Sequence, residues 1–297
     1  ETERQALEAR ASALLAKGPL SADHAVQVAL FNNRGLQAQL AELGLAEADL
    51  VQAARLPNPR FTLHRVSDDH HYALERSISF NILSLVTLPL ATEVEKRRFE
   101  GARQRAAMDV LRLAADTRKA WIDAVAAEEA VRYLRRVRLA ADAGAELAAR
   151  MAKAGNWSAL QRAREQGFYA DAALAVARAE QKAGSARERL TRHLGLWGPQ
   201  AASLSLPERL PDLPGAARDR PDIEREAIAT RLDVRAAMHD AEATARNLGL
   251  TKVTRLVNVL EFGASRENEG RDEPYVRGYE ISLEVPLFDW GTARTAK

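Results

Sequence analysis

The chain has 297 residues, 28% charged and 46% hydrophobic, with a net charge of +2 and no cysteine. That composition excludes a disordered chain, disulfides, thiolate metal sites and a cysteine nucleophile, and it suits any redox compartment, the periplasm included. Lys and Arg are interleaved with Asp and Glu, which argues against a nucleic-acid footprint; the nearest basic cluster, Arg132, Arg135, Arg136 and Arg138, reads as a solvated helix face.

Residues 1–18 are predicted as a short helix closed at Lys17-Gly18. Ser21 is an N-cap for a second helix running to about Ala54, with Ala25, Val28, Ala29, Leu36, Leu40 and Leu43 on its apolar face. Leu56-Pro57-Asn58-Pro59 stops it, because two prolines forbid continuation. An alternating segment follows from Arg60 to Val66, then a polar turn, Ser67-Asp68-Asp69-His70-His71. The next strand sets Leu74, Ile78, Phe80 and Ile82 on one face and Glu75, Ser77, Ser79 and Asn81 on the other, giving way at Leu88-Pro89-Leu90. Period two of this kind fits a half-buried soluble strand and a transmembrane barrel strand equally. Arg65 and Arg76 interrupt the apolar positions of this hairpin.

From Ala91 to Leu194 the pattern is helical and lacks proline. Val110, Leu113, Thr117, Ala120, Ala124, Ala127, Val131 and Leu134 step alternately by three and four, a heptad seam. The first arm would be roughly 60 residues and on the order of 90 Å long at 1.5 Å per residue. Ala154-Gly155-Asn156 breaks the run, so the expected element is a long antiparallel helical hairpin. Its alanine-rich seam buries little area per residue, which suggests that it packs sideways against further helices. A generic antiparallel coiled coil would also satisfy this stretch.

Pro199, Pro207, Pro211, Pro214 and Pro221 mark an extended linker lying along the helices. The pattern then restarts. Asp222 to about Leu250 is an amphipathic helix, Val257 to Ala264 an alternating strand, and Ser265 to Glu273 a polar turn. The last strand alternates Tyr279, Ile281, Leu283 and Val285 with Gly278, Glu280, Ser282 and Glu284, and ends at Val285-Pro286-Leu287. Helix, strand, turn, strand and proline thus occur twice, about 200 residues apart, a duplicated half-molecule rather than a solenoid unit. The second copy stops where its own long hairpin would begin, so the last third of the pattern is expected to be missing. The chain opens on Glu1-Thr2-Glu3-Arg4 without an initiator methionine or a visible signal peptide, as expected of a processed or trimmed form.

The expected segments are N-terminal helices at 1–56, a β-hairpin at 57–90, the long helical hairpin at 91–197, and the Pro-rich linker at 198–221. A second-repeat helix at 222–254, a second β-hairpin at 255–288 and the start of a second long helix at 289–297 complete them. The fold class is mainly α with two β-hairpins. No run of about 18 apolar residues exists, so no membrane-spanning helix is expected. His64, His70 and His71 lack acidic or cysteine partners at ligand spacing and read as solvated turn residues; Met108, Met151 and Met238 read as helix filler. There is no Gly-rich phosphate loop, no Gly-x-Ser-x-Gly and no His-Glu-x-x-His, so neither an enzyme nor a cofactor or metal site is expected.

Four motifs carry a resemblance. They are Asn32-Asn33-Arg34-Gly35-Leu36-Gln37-Ala38, its counterpart Arg231-Leu232-Asp233-Val234-Arg235-Ala236-Ala237, the junction Leu56-Pro57-Asn58-Pro59, and Val285-Pro286-Leu287-Phe288-Asp289-Trp290-Gly291. In this order and duplication, over about residues 20–297, the chain resembles the TolC-like outer-membrane efflux family. The resemblance implies a homotrimer in which each protomer adds four strands to a twelve-stranded barrel in outer-membrane lipid, and its helices to a barrel crossing the periplasm. It implies a passive exit duct of a tripartite efflux or type I secretion system in a Gram-negative bacterium, with a periplasmic adaptor protein and an inner-membrane pump as partners and no nucleic acid. Lys153, Gly155, Asn156, Trp157 and Ser158 would form the adaptor-contacting tip, although a plain turn between helices explains them too. Ser77, Ser79, Asn81, Glu280, Ser282 and Glu284 would face the lumen. The competing function is a helical-rod structural or pore-forming protein with a β tongue, which would need one hairpin rather than two.

Overall fold

The computed structural model describes residues 2–67, 72–213, 215, 221–254, 259–268 and 274–284. It divides into two compact units, Glu1–Gln39 with Met108–Pro221, and Leu40–Ala107 with Asp222–Lys297.

The first unit is helical. It contains α1 (Thr2–Leu15), α2 (Ala22–Asn32), the start of α3 (Arg34–Ala53), the distal part of α4 (Ile82–Lys153), α5 (Ala159–His193) and the single turn α6 (Pro199–Ala202). Ser21 caps α2 as expected, its Oγ accepting the His24 N–H at 3.2 Å. The heptad seam is the core: Thr117, Ala120, Ala124, Ala127 and Val131 are buried, joined by Trp121 and Val125 from the same helix and by Ala186 and Leu190 of α5. Small seam residues allow close helix approach, and Trp121 supplies the bulk they lack. Its indole N–H donates to the Leu20 carbonyl at 2.7 Å, and the Leu20 N–H donates to the Ser205 carbonyl at 2.8 Å. The segment after α6 is thereby held against the helices, with Leu204 buried and the Leu204 carbonyl accepting from Arg187. The Thr117 hydroxyl is buried with no partner among the described residues.

The α4–α5 turn is built from local bonds. The Asn156 N–H donates to the Met151 carbonyl at 3.0 Å and the Gly155 N–H to the Ala152 carbonyl at 3.1 Å, with Gly155 at φ +83°. This is a Schellman closure with glycine in the left-handed position. Ser158 then opens α5 with a capping box: its Oγ accepts the Gln161 N–H at 3.2 Å, and Gln161 Oε1 accepts the Ser158 N–H at 2.8 Å.

The helix expected from Ser21 to Ala54 is in fact two. It breaks at Asn33, whose φ of −71° and ψ of +112° are extended. The Asn33 Oδ1 accepts the Leu36 N–H at 3.0 Å and so caps α3. The amides of Asn32 and Asn33 donate to the carbonyls of Gly195 (2.7 Å) and His193 (3.0 Å), satisfying orphan acceptors at the α5 C-terminus. Gly195 has φ +66°, and a Cβ there would lie 2.5 Å from the Asn32 carbonyl oxygen. The second-repeat helix is broken at the matching place. α7 (Ile223–Thr230) and α8 (Leu232–Thr254) are separated by Arg231, whose φ of −59° and ψ of +123° are non-helical. Neither asparagine nor arginine is a breaker by propensity, so period and composition did not expose either break.

The second unit carries the sheet, α7, α8, the rest of α3 and the first part of α4. β1 (Arg60–Ser67), β2 (Tyr72–Asn81), β3 (Leu260–Asn268) and β4 (Val276–Leu283) form one antiparallel sheet in the order β1-β2-β3-β4. The two hairpins therefore pair with each other within the chain through β2 and β3. Two boundaries differ from expectation. α4 begins at Ile82 rather than Ala91, because the Asn81 Oδ1 accepts the Ser84 N–H at 2.9 Å and starts the helix there. Pro89 sits inside α4, where it cannot donate to the Leu85 carbonyl. Ser265 to Asn268, expected as turn, continue β3, since a strand flanked on both sides gains ladder bonds whatever its polarity. Residues 255–258, the His70–His71 turn and the Val285–Gly291 junction lie outside the described residues.

α4 and α8 meet through small residues. Ala236 and Ala243 are buried, as are Val94 and Ala106, and a Cβ on Gly101 would lie 2.8 Å from Asp240 Oδ1. Arg105–Asp240 at 2.7 Å and Arg97–Glu242 at 3.0 Å edge this contact. At the α7–α8 break, Arg231 donates to both carboxylate oxygens of Asp233, at 2.9 and 2.5 Å. These hydrogen bonds hold the Asp233 carboxyl down to about 2, so the pair persists well into acid.

Two substitutions separate backbone strain from crowding. Gly155→Ala meets nothing within 4 Å, so it should cost about 1–2 kcal/mol for the left-handed backbone alone. Gly195→Ala adds the carbonyl clash and should cost roughly 2–4 kcal/mol. Denaturant titration of both variants checks the order; equal losses would rule out the close approach at Asn32. Thr117→Val, which removes an unsatisfied buried hydroxyl at constant shape, should raise stability by about 1 kcal/mol in the same assay. A loss would mean that the hydroxyl is bonded.

Candidate functional site

Alternation and register sort the sheet into two unlike faces. On one lie Thr62, Ser77 and Ser265 in one row, and Arg60, Ser79, Gly263 and Glu280 in the next. Glu261 sits between Asn81 and Ser282 in a third. A hollow of about 350 Å³ is lined by this face, including Ser77, Ser79, Glu280 and Ser282. In β2 the residues of this face are half-buried, whereas Arg76, Ile78 and Phe80 of the other face are exposed. Four of the six residues expected to face a lumen are therefore brought together. Asn81 shares the face by register but spends its side chain on capping α4. Glu284 lies one residue past β4, with its N–H donating to the Val259 carbonyl at 3.1 Å.

Several residues of this face were missed in the sequence reading. Arg60, Thr62 and His64 follow from continuing the parity of β1 against Ser79, and Glu261 from that of β3 against Asn81. Arg60 reaches over β2 to Glu261 on β3, at 3.1 Å, a span that the small Ser79 side chain leaves open. Glu75 and Glu267 stand directly opposite each other on adjacent strands. Like charges so placed are unfavourable unless water or a cation screens them.

The second expected site is the α4–α5 turn. Lys153, Gly155, Asn156 and Ser158 are exposed and Trp157 is half-buried. Ser158 is committed to its capping box, so the groups free to meet another molecule are Lys153, Asn156 and the open edge of Trp157. A third feature had no counterpart in the sequence reading. At the α5 C-terminus a hollow of about 530 Å³ is lined by Asn33, Arg34, Gly35, Arg192, Leu196 and Trp197. Among the described residues, no three His, Cys, Asp or Glu side chains are placed to hold a metal ion. No helix among them is long and apolar enough to cross a membrane, which says nothing about a barrel.

No model of a known protein family matches the sequence. The chain is 26% identical over 284 residues to the cobalt-zinc-cadmium resistance protein CzcC of Cupriavidus metallidurans, which covers 92% of this chain and 65% of CzcC. It thus spans just under two thirds of the curated relative it matches. Among solved structures, a membrane protein from Pseudomonas aeruginosa superposes with a TM-score of 0.76 at 18% identity, over 93% of this chain and 69% of that one. The CmeC outer membrane channel of Campylobacter jejuni gives a TM-score of 0.70 at 14% identity, over 92% of this chain and 63% of that one. Over these residues the chain has the fold of the TolC-like outer-membrane efflux family.

Proposed function

We propose that the chain is the outer-membrane exit duct of a tripartite efflux or type I secretion system, acting as a passive trimer. The observation that carries this is the four-stranded sheet with one polar and one apolar face and with β1 and β4 each paired on one side only. An open sheet cannot lie in hydrocarbon with unpaired backbone at its edges. Three copies joined β4 to β1 would close twelve strands, with the polar face around water and the apolar face toward lipid. Exposed Leu111, Ile122, Leu139, Leu147 and Phe168 on α4 and α5 supply surface for neighbouring helices of the same assembly. A single β tongue would need one hairpin, and the pairing of β2 with β3 disfavours it.

In this reading Ser77, Ser79, Asn81, Glu280, Ser282 and Glu284 face the lumen. Rings of carboxylates favour cations. The name of CzcC makes divalent metal cations the cargo class we infer. The turn at Lys153, Gly155, Asn156, Trp157 and Ser158 contacts a periplasmic adaptor protein, which in turn engages an inner-membrane pump. The site of action is the outer membrane and periplasm of a Gram-negative cell.

Single-channel recording of the full-length trimer in a planar bilayer tests the duct. Glu280→Gln with Glu284→Gln should lower cation over anion preference and leave insertion intact; unchanged selectivity together with failed insertion would reverse the two faces. The tip is tested separately. Asn156→Arg or Trp157→Ala should weaken co-purification of the adaptor about tenfold, a loss of roughly 1.4 kcal/mol. The trimer should elute unchanged. Undiminished capture by both variants would leave the turn a plain connection between helices.

A further inference from the structure

The apolar face of the sheet ends in a row of arginines. Moving from the helix end of the strands, Phe80, Phe262 and Ile281 stand abreast, then Phe61, Ile78, Ala264 and Tyr279. The next row is Leu63, Arg76, Arg266 and Arg277, with the three guanidinium residues on consecutive strands. Arg65 follows one row further toward the turns. All four arginines are exposed. Among the described residues this face bears no carboxylate, and none of the ion pairs there involves these four.

Three like charges directly abreast are unfavourable unless water or an anion screens them, and where such a face meets hydrocarbon an anion is the screen that remains. Tyrosines lie just beyond the row on the turn side, Tyr72 at the start of β2 and Tyr275 immediately before β4. Arg266 lies 3.7 Å from the centroid of the Tyr275 ring and Arg65 5.6 Å from that of Tyr72. Tyrosine gathers where hydrocarbon meets headgroup, and arginine extends from there toward charge. The planar fork of arginine binds phosphate oxygens in pairs.

We propose that Arg76, Arg266 and Arg277 form a binding strip for the phosphate groups of a phosphorylated membrane lipid at the outer rim of the barrel. The strip rests on the barrel reading above and deepens it, naming the lipid headgroup that the outward face takes. Tyr275 stacks on Arg266 and holds its guanidinium plane, leaving the edge N–H groups for phosphate.

The test uses full-length protein in phosphatidylcholine vesicles containing equal amounts of diphosphorylated and dephosphorylated lipid A. Insertion is read by protease protection, and the lipid retained after detergent extraction is read by mass spectrometry. The wild type should retain the diphosphorylated form preferentially. Each arginine changed to Gln should lower that preference about fivefold, and the corresponding Lys variants should lie between. A wild type that inserts but retains both lipids equally overturns the strip and leaves the barrel standing. A wild type that inserts in no vesicle overturns the barrel and the strip with it. If the triple Gln variant fails to insert, Arg266→Gln alone decides: an undiminished preference overturns the proposal.

Discussion

Backbone that enters hydrocarbon must carry its hydrogen bonds with it. Four strands cannot meet that requirement alone, because the outer sides of β1 and β4 present N–H and C=O groups to whatever surrounds them. In the proposed duct, much else in the chain answers to this one condition. The duplication supplies two hairpins, and their pairing through β2 and β3 makes one contiguous four-stranded sheet rather than two separate ribbons. In the proposed duct, the alternation then decides which side of that sheet meets water. On β2 the residues of the polar face are half-covered, whereas Arg76, Ile78 and Phe80 of the other face are exposed.

The helical unit solves a different problem. A seam of alanines gives a slender core with little area per residue, and at about 25 cal/mol per Å² of buried apolar surface such a seam stabilises weakly. Trp121 compensates at one level, filling space that Ala120 and Ala124 leave and anchoring the connection at Leu20 by its indole N–H. At the end of α5 the work passes to hydrogen bonds. Asn32 and Asn33 satisfy carbonyls that the helix leaves open, and Gly195 lets the two backbones approach. The same break recurs at Arg231, where a bidentate pair to Asp233 takes the place of asparagine amides. The two repeats thus keep the geometry and change the chemistry.

What the sequence disclosed tracks how local the cause is. The heptad seam, the Ser21 cap and the turn at Gly155 depend on neighbours within a few positions, and each was legible. The faces of β2 and β4 were legible for the same reason, since period two is a local property. The start of α4 was misplaced because proline was read as a stop, whereas the Asn81 cap begins the helix before Pro89 and the helix carries the missing bond. The extent of β3 was hidden because Ser265, Arg266, Glu267 and Asn268 look like a turn until partners on two sides are known. The sheet-face partners Arg60 and Glu261 stand 201 positions apart, and only the register brings them together. The arginine row was present in the sequence as two interruptions at Arg65 and Arg76; its meaning depended on Arg266 and Arg277 falling alongside.

The turn joining α4 to α5 also sets an order of events. All its closing bonds link residues no more than a few positions apart, from Met151 to Gln161. Closing so short a loop costs little chain entropy, whereas bringing β2 to β3 closes a loop that contains both long helices. The helical hairpin therefore forms early in folding, and the sheet waits until most of the chain has been made. Until then the strands of the first hairpin, β1 and β2, have only each other and leave the far edge of β2 open, a state prone to pair with the wrong chain. A cell producing this protein has to shield those strands through that interval, and the length of the interval is fixed by where the duplication placed the second hairpin.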